Sequence, residues 1–129
     1  MREIKAENIS AAVAELCISA NRVLPPDVAR AIRNAEKTEP WPGAANTLNI
    51  LEKNMAAAEK NSLPVCQDTG LACVFAEIGQ EVHIQGSFED AVNEGVRRGY
   101  EQGCLRKSVV GDPIRRGNTG DNTPAALTV

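Results

Sequence analysis

The amino-acid sequence predicts a mixed α+β fold, with an N-terminal helical layer followed by a small sheet and a covering helix. Apolar residues recur at helical spacing through the first part of the chain, whereas after Pro64 they come in short runs of strand length. An apolar content of 43% and a charged content of 24% are ordinary for a globular domain. The 129 residues suit one domain or one part of a larger one. We predict a helical segment over residues 1–62 and a sheet-containing segment over residues 63–129.

Three helices are predicted in the helical segment, and prolines separate them. The first ends before Pro25, because a proline ring removes a donor and clashes with the preceding turn. The second begins near Asp27, whose charge suits a helix N-terminus, and ends at Pro40. The third begins at Pro42, a favoured first-turn residue, and closes at Asn61. Their apolar stripes are Ile9, Val13, Leu16 and Ala20; Val28, Ile32 and Ala35; and Ala44, Leu48, Leu51, Met55 and Ala58.

Two strands and a fourth helix are predicted in the sheet-containing segment. The run from 71 to 78 is nearly all apolar, which is typical of a strand buried on both faces. Residues 82–85 form the second predicted strand. Ser87, followed three residues later by Asp90, resembles a capping box that begins a helix, and Gly103 is a suitable stop for it. The buried stripe of this helix is predicted to consist of Phe88, Val92, Val96 and Gly99.

The last residues, PAALTV, read as the start of another strand after a loop from 111 to 124. We therefore expect the chain to be the N-terminal part of something longer, with an incomplete domain. Unpaired strand edges in such a fragment would favour dimer formation or domain swapping.

Charge and cysteine usage limit the classes of function. The net charge is −3, yet six of the 14 basic residues lie between 97 and 116, at Arg97, Arg98, Arg106, Lys107, Arg115 and Arg116. Such a local basic surface suits a small anionic ligand better than a nucleic acid, although a solvated helix face is the simpler interpretation for most of these residues. MREIKAENIS lacks the apolar core of a signal peptide, and four cysteines without a CxxC pair fit a reducing cytoplasm. We expect a cytoplasmic protein with no membrane partner.

Cys66 is the first candidate for chemistry. It lies in PVCQDTG, a loop before the predicted buried strand, where Asp68, Thr69 and Gly70 have turn character. Gln67 offers donors and an acceptor, and Asp68 offers a base or a charge. A single cysteine cannot hold an iron–sulfur cluster, so the residues alone favour an ordinary loop thiol, with a redox thiol as an alternative. The other three cysteines, Cys17, Cys73 and Cys104, are predicted to belong to the core.

Arg106 and Lys107 follow the predicted stop of the fourth helix. A guanidinium there could bind a carboxylate through two hydrogen bonds, or simply complement the helix dipole. The loop GNTGDNTP is either a substrate-side loop or a long surface connection. His83, the single histidine, is expected on a half-exposed strand position, and Trp41 is expected to be a packing anchor.

Four segments taken together resemble the class I, iron–sulfur-dependent fumarate hydratases. They are PVCQDTG, EVHIQG, VNEGVRRGYEQGCLRKSVV and RRGNTGDNTPA, in the order and spacing of that family. The chain looks like the α-subunit, or N-terminal part, of the two-part enzymes, a family that the tartrate dehydratase α-subunits share. The resemblance runs from about Trp41 to the last residue and is closer to the fumarate branch.

The resemblance implies a role for several residues. Cys66 would be one of three cysteine ligands of a [4Fe–4S] cluster, whose open iron acts as a Lewis acid, and the other two ligands would lie outside this chain. Gln67 and Asp68 would contact the substrate, with Asp68 as a catalytic residue, and Arg106 would bind a substrate carboxylate. The implied reaction is the reversible hydration of fumarate to (S)-malate, a step of the citric acid cycle.

The resemblance also implies partners and leaves alternatives. The partners would be fumarate or malate, a β-subunit or C-terminal half, and further copies in a homo-oligomer. We expect the 129-residue chain alone to hold no stable cluster and to be inactive. Tartrate dehydration remains an alternative, as does a non-catalytic binding or assembly module that retains the fold.

Overall fold

A computed structural model describes all 129 residues and confirms the α+β class. The chain forms two compact units. The sheet unit comprises Met1–Ile18 and Asp68–Val129, and the helical unit comprises Ser19–Gln67. The elements in chain order are β1 (Arg2–Lys5), α1 (Ala6–Arg22), α2 (Pro26–Thr38), α3 (Pro42–Asn61), β2 (Cys73–Phe75), β3 (Val82–Gln85), α4 (Phe88–Gln102) and β4 (Ala126–Thr128).

The sheet unit contains two separate parallel pairs of strands. In one pair β1 lies beside β3, with Arg2 opposite Val82, and in the other β2 lies beside β4, with Cys73 opposite Ala126. The strands at 82–85 and near the last residues were predicted, but β1 was not. Its sequence, REIK, has one apolar residue, so only the distant partner strand makes it a strand.

The core of the sheet unit forms around α4. Val92, Val96 and Tyr100 are at most 2% exposed, and they pack with Val13 and Leu105. The predicted cap is confirmed, since the Ser87 hydroxyl accepts a hydrogen bond of 3.2 Å from the backbone N–H of Asp90. The predicted stop at Gly103 is confirmed as well. The left-handed residue that turns the chain away is its neighbour Cys104, with φ 52°.

Two predictions about buried residues in this unit are wrong. The strand predicted over 71–78 is only Cys73–Phe75, and Phe75 is 81% exposed. Its single neighbour β4 leaves most of its surface open, and only Val74 packs against the core. Cys73 and Cys104 are exposed rather than part of the core. Cys17 is half-buried and packs against the core, and this burial raises the pKa of its thiol.

The helical unit is built from α2, α3 and the chain around them. The predicted proline boundaries are confirmed, because α2 begins at Pro26 and α3 begins at Pro42. Ser62 ends α3 in the left-handed conformation, with φ 55°. The predicted stripes are much less buried than in α4, since α2 has no buried residue and α3 has only Ala58. None of the four helices is both long and apolar enough to span a lipid bilayer.

Candidate functional site

Cys66 and Gln67 lie in the loop that ends the helical unit, and both are exposed. The chain immediately before them is held in place. The backbone N–H of Val65 donates to the carbonyl of Asn21 at 2.8 Å, and the Asn54 carboxamide donates to the carbonyl of Val65 at 2.7 Å. The thiol of Cys66 is free. The loop therefore presents an accessible thiol on an anchored backbone.

Asp68, Thr69 and Gly70 form the predicted turn, which belongs to the sheet unit. The Asp68 carboxylate accepts a hydrogen bond of 3.1 Å from the backbone N–H of Gly70, and Gly70 has a φ of 58°, which glycine adopts without strain. Thr69 is 8% exposed, and its hydroxyl donates to the backbone carbonyl of Arg106 at 2.8 Å. The backbones of two predicted substrate contacts, Asp68 and Arg106, are thereby connected through one residue.

Two residues that the sequence did not single out hold this turn from the other side. The Tyr100 hydroxyl donates to the carbonyl of Thr69 at 2.7 Å, and it also lies 3.2 Å from the carbonyl of Gly70. The Asn122 carboxamide donates to the Gly70 carbonyl at 3.0 Å. A signal for Tyr100 exists in the sequence, because a buried tyrosine at the end of an apolar stripe requires a partner for its hydroxyl.

Asn122 also bonds to the segment that follows Arg106. Its side-chain oxygen accepts hydrogen bonds from the backbone N–H groups of Ser108 at 2.6 Å and Val109 at 3.0 Å. The residue is fully buried and has a left-handed φ of 65°. The side chain of Asn118, in the same loop, donates to the carbonyl of Lys107 at 2.8 Å. The loop 117–124 is thus bonded along its length to the segment 107–109.

The predicted basic surface divides into paired and unpaired residues. Arg97 and Arg98 on α4 both bond to Glu94, and these hydrogen bonds lower the pKa of that carboxyl to about 2. This pairing fits the interpretation of a solvated helix face. Arg106 is exposed and forms no ion pair, and Lys107 is half-buried. Arg106 therefore keeps its donors available for an anion.

The donor set of this chain does not by itself fit an iron–sulfur cluster. All four cysteines are free, and three of them, including Cys66, are exposed. No group of three His, Cys, Asp or Glu side chains lies close enough together to hold a metal ion. A cluster of this kind needs at least three thiolates, so the chain offers one candidate ligand rather than a site.

The sequence matches the family described as fumarate hydratase (Fumerase) over residues 10–129. The match includes the Cys66–Gly70 loop, α4 and the loop 117–124. The chain belongs to this fumarate hydratase family. The resemblance inferred from the four sequence segments is confirmed, and the matched range extends further toward the first residue than those segments do.

Individual relatives carry two names. The α-subunit of a protein provisionally named L(+)-tartrate dehydratase, from Methanocaldococcus jannaschii, is 36% identical over 116 residues, which are 88% of this chain and 40% of that protein. A provisionally named class I fumarate hydratase from Geobacillus stearothermophilus is 29% identical over 124 residues, 95% and 24% of the two chains. The anaerobic class I fumarate hydratase of Escherichia coli is 38% identical over 77 residues, 58% and 14% of the two. The chain spans less than half the length of these relatives.

Proposed function

We propose that this chain is part of a hydro-lyase that reversibly hydrates fumarate to (S)-malate. The family match over residues 10–129 supports the reaction class. The observation that carries the proposal is the Thr69–Arg106 hydrogen bond, because it ties a carboxylate-bearing turn to an arginine without an ion pair. A small dicarboxylate needs both a cationic group that binds it and a group that exchanges protons with it.

Each predicted residue has a proposed task that its surroundings permit. The Arg106 guanidinium binds one substrate carboxylate through a pair of hydrogen bonds, which a lysine could not reproduce. Gln67 donates to the substrate from its carboxamide, and Asp68 acts as a catalytic group for proton exchange. The Asp68 carboxylate has one hydrogen bond within its own turn, so it retains acceptor capacity for a substrate or water.

Cys66 is proposed as one thiolate ligand of a [4Fe–4S] cluster whose other two cysteine ligands lie outside these 129 residues. Its exposure and its anchored backbone support this, since a ligand shared with another part of the enzyme must be accessible. Such a cluster would supply Lewis acidity, and the contribution of this chain is limited to one thiolate. The isolated chain is expected to hold no stable cluster and to be inactive. Reconstitution with iron and sulfide followed by visible spectroscopy tests this, and a stable cluster absorption would contradict it.

The proposed partners are the β-subunit or C-terminal half of the enzyme, together with further copies in a homo-oligomer. An open apolar groove of about 320 Å³ in the sheet unit supports a partner of this kind. Phe75 is 81% exposed and Leu16 is 63% exposed along it, and covering such exposed apolar side chains would favour binding of a partner. Four free cysteines are consistent with the proposed cytoplasmic location.

The test is an assay of the assembled enzyme with the Arg106→Met variant. Losing a bidentate contact to a carboxylate should raise KM for fumarate by at least about tenfold. Arg115→Met is the matched control, because Arg115 belongs to the same basic stretch, is exposed and forms no ion pair. Equal kinetics of the two variants would contradict the role of Arg106. If the wild-type assembly turned over no dicarboxylate, the chain would be a non-catalytic module.

Tartrate dehydration is the second candidate, favoured by the Methanocaldococcus jannaschii relative. Both reactions eliminate water from a small hydroxylated dicarboxylate, so the same residues would serve either one. A panel of fumarate, (S)-malate and both tartrate enantiomers separates the two. Turnover of tartrate without hydration of fumarate would replace the first proposal by the second.

A further inference from the structure

We propose that Asn122 is a positioning residue, whose carboxamide fixes the turn Asp68–Gly70 relative to the segment Arg106–Val109. The inference rests on the proposed function, because that function gives Asp68 and Arg106 their roles toward the substrate. It assigns a task to the loop 117–124, which the sequence left as either a substrate-side loop or a surface connection. This role requires no contact between the loop and the substrate.

The Asn122 carboxamide forms hydrogen bonds with both the turn and the segment. Its nitrogen donates to the carbonyl of Gly70 at 3.0 Å, and its oxygen accepts from the N–H groups of Ser108 and Val109 at 2.6 and 3.0 Å. The Tyr100 hydroxyl donates to the turn, and the Asn118 carboxamide donates to the carbonyl of Lys107. The Asn122 side chain, which belongs to neither the turn nor the segment, therefore bonds to both.

Burial makes these three hydrogen bonds costly to lose. Asn122 is 0% exposed, so water cannot replace its carboxamide without entering the interior. Removing the oxygen would leave the N–H groups of Ser108 and Val109 without this acceptor, and losing the partner of a partly buried donor is costly. The segment would then move to find another acceptor, and the backbone of Arg106 lies two residues before Ser108.

The backbone of the loop is suited to holding asparagine at this position. Asn122 has a φ of 65°, a conformation in which asparagine is tolerated far better than most residues. Next to it, the Asp121 carboxylate accepts from the N–H group of Thr123 at 3.0 Å and from its hydroxyl at 2.8 Å. These bonds also lower the pKa of Asp121. On the N-terminal side of Asn122, the backbone N–H of Thr119 donates to the carbonyl of Val109 at 3.0 Å. The loop is thus fixed on both sides of Asn122.

The consequence for the site is geometric. Thr69 bonds to the Arg106 carbonyl from the turn, and Asn122 closes the same arrangement from outside it. Together, these two connections fix the distance between the backbones of Asp68 and Arg106 before the substrate binds. Preorganisation of this kind lowers the barrier, and a displacement of about 1 Å can cost about a hundredfold in rate.

The first arm of the test measures amide hydrogen exchange in the 129-residue chain. Asn122→Gly removes the carboxamide but permits the left-handed backbone. Exchange at Ser108 and Val109 should accelerate by about tenfold relative to the α4 amides, the size expected for losing a buried acceptor. Val92→Ala is the control, because Val92 is 1% exposed in the core and makes none of these hydrogen bonds. It should accelerate protected amides by a common factor.

A conservative variant separates the two halves of the interaction. Asn122→Asp keeps an oxygen that accepts from Ser108 and Val109 but places a carboxylate oxygen beside the Gly70 carbonyl. Protection at Ser108 and Val109 should persist, while the contact with the turn is lost. Asn122→Asp therefore decides the proposal even if Asn122→Gly does not fold.

The second arm measures steady-state kinetics in the assembled enzyme. Asn122→Gly should lower kcat/KM for fumarate by at least about tenfold more than Val92→Ala does per folded molecule, and Asn122→Asp should fall between them. Equal kinetics of the glycine and alanine variants, or a uniform change in exchange in both, would overturn the role of Asn122. If the wild-type assembly hydrated no fumarate, the proposed function would fail. The hydrogen-exchange measurement would still decide whether Asn122 holds the turn and the segment together.

Discussion

Helix α4 and helices α2 and α3 have similar apolar stripes in the sequence but very different burial in the structure. Six residues of α4 are buried, namely Ala91, Val92, Gly95, Val96, Gly99 and Tyr100. By contrast, α2 buries no residue, and α3 buries only Ala58. The spacing of apolar residues therefore tells which face of a helix is apolar, but it does not tell whether another element covers that face.

The two units also differ in the bonds that hold them. In the sheet unit, buried side chains bond to backbone groups far away in sequence, as when the Ser10 hydroxyl donates to the Ala91 carbonyl at 2.9 Å. In the helical unit, α2 and α3 are joined by polar pairs near the surface, such as Arg33 with Glu52 and Asn49 with Glu36. Buried contacts dominate stability and surface pairs add little, so we expect most of the measurable stability to come from the sheet unit.

Gly95→Ala should produce the largest loss of stability. A Cβ atom at Gly95 would lie 2.6 Å from the Cβ of Val13 and 2.7 Å from the carbonyl oxygen of Ser10. The carbonyl belongs to the backbone of α1, so α4 and α1 must separate to make room. Overpacking of this kind should lower the free energy of unfolding by about 3 kcal/mol, as measured by urea denaturation followed by circular dichroism.

The matched control is Gly43→Ala in α3 of the helical unit. The three atoms nearest to a Cβ there all belong to the Trp41 side chain, the first at 3.1 Å. Trp41 is 69% exposed, so it is not the packing anchor that was predicted, and its ring can move aside. We expect the free energy of unfolding to change by less than about 0.5 kcal/mol. Equal effects at Gly95 and Gly43 would remove the contrast between the two units.

Val96→Ala should produce the next largest effect, and Leu51→Ala sharpens the comparison. Val96 is 0% exposed and Leu51 is 44% exposed. The leucine change deletes more carbon atoms, so a ranking by side-chain size alone predicts the opposite order. We expect a loss of about 2 kcal/mol for Val96→Ala and about 0.5 kcal/mol for Leu51→Ala, from the same urea titrations. A larger loss at Leu51 would mean that its face of α3 is covered in solution.

Local signals explain how much of the fold was predictable. The proline boundaries of α2 and α3, the Ser87 cap and the stripe of α4 all depend on neighbours within a few residues, and all are confirmed. Strand β1 and the exposure of Cys73 depend on which distant segment lies alongside. No local pattern in REIK predicts pairing with a strand about 80 residues away.

The same distinction applies to the candidate site. The turn at Asp68–Gly70 was predictable because aspartate and glycine favour it locally, and its φ and hydrogen bond agree. Tyr100 and Asn122 were missed because their partners in the turn lie 31 and 52 residues away. The roles of Cys66 and Arg106 came from the family resemblance and stay predictions.

Glu94 should make the stability of the sheet unit sensitive to acid. We expect this effect to be smaller than those of Gly95→Ala and Val96→Ala. Hydrogen bonds from Arg97, and then from Arg98, lower the pKa of Glu94 from 4.5 to about 2. Because the pKa is lower in the folded state, the contribution is present above about pH 4.5 and is lost as the pH falls toward 2. Glu94→Gln should therefore flatten the pH dependence of the urea midpoint over this range. Glu77→Gln, at an exposed residue without an ion pair, is the control.

The ion pair between Arg33 and Glu52 should have the smallest effect, although its geometry is good. The Arg33 Nε lies 2.7 Å from the Glu52 carboxylate, but the two side chains are 53% and 36% exposed. Water and salt screen such a pair, so a double-mutant cycle with Arg33→Met and Glu52→Gln should give a coupling energy of about 0.3 kcal/mol that shrinks in 1 M salt. A coupling above about 1 kcal/mol would show that the pair is desolvated in solution. The helical unit would then be held by a buried polar contact, as the sheet unit is, and the contrast between them would no longer rest on burial.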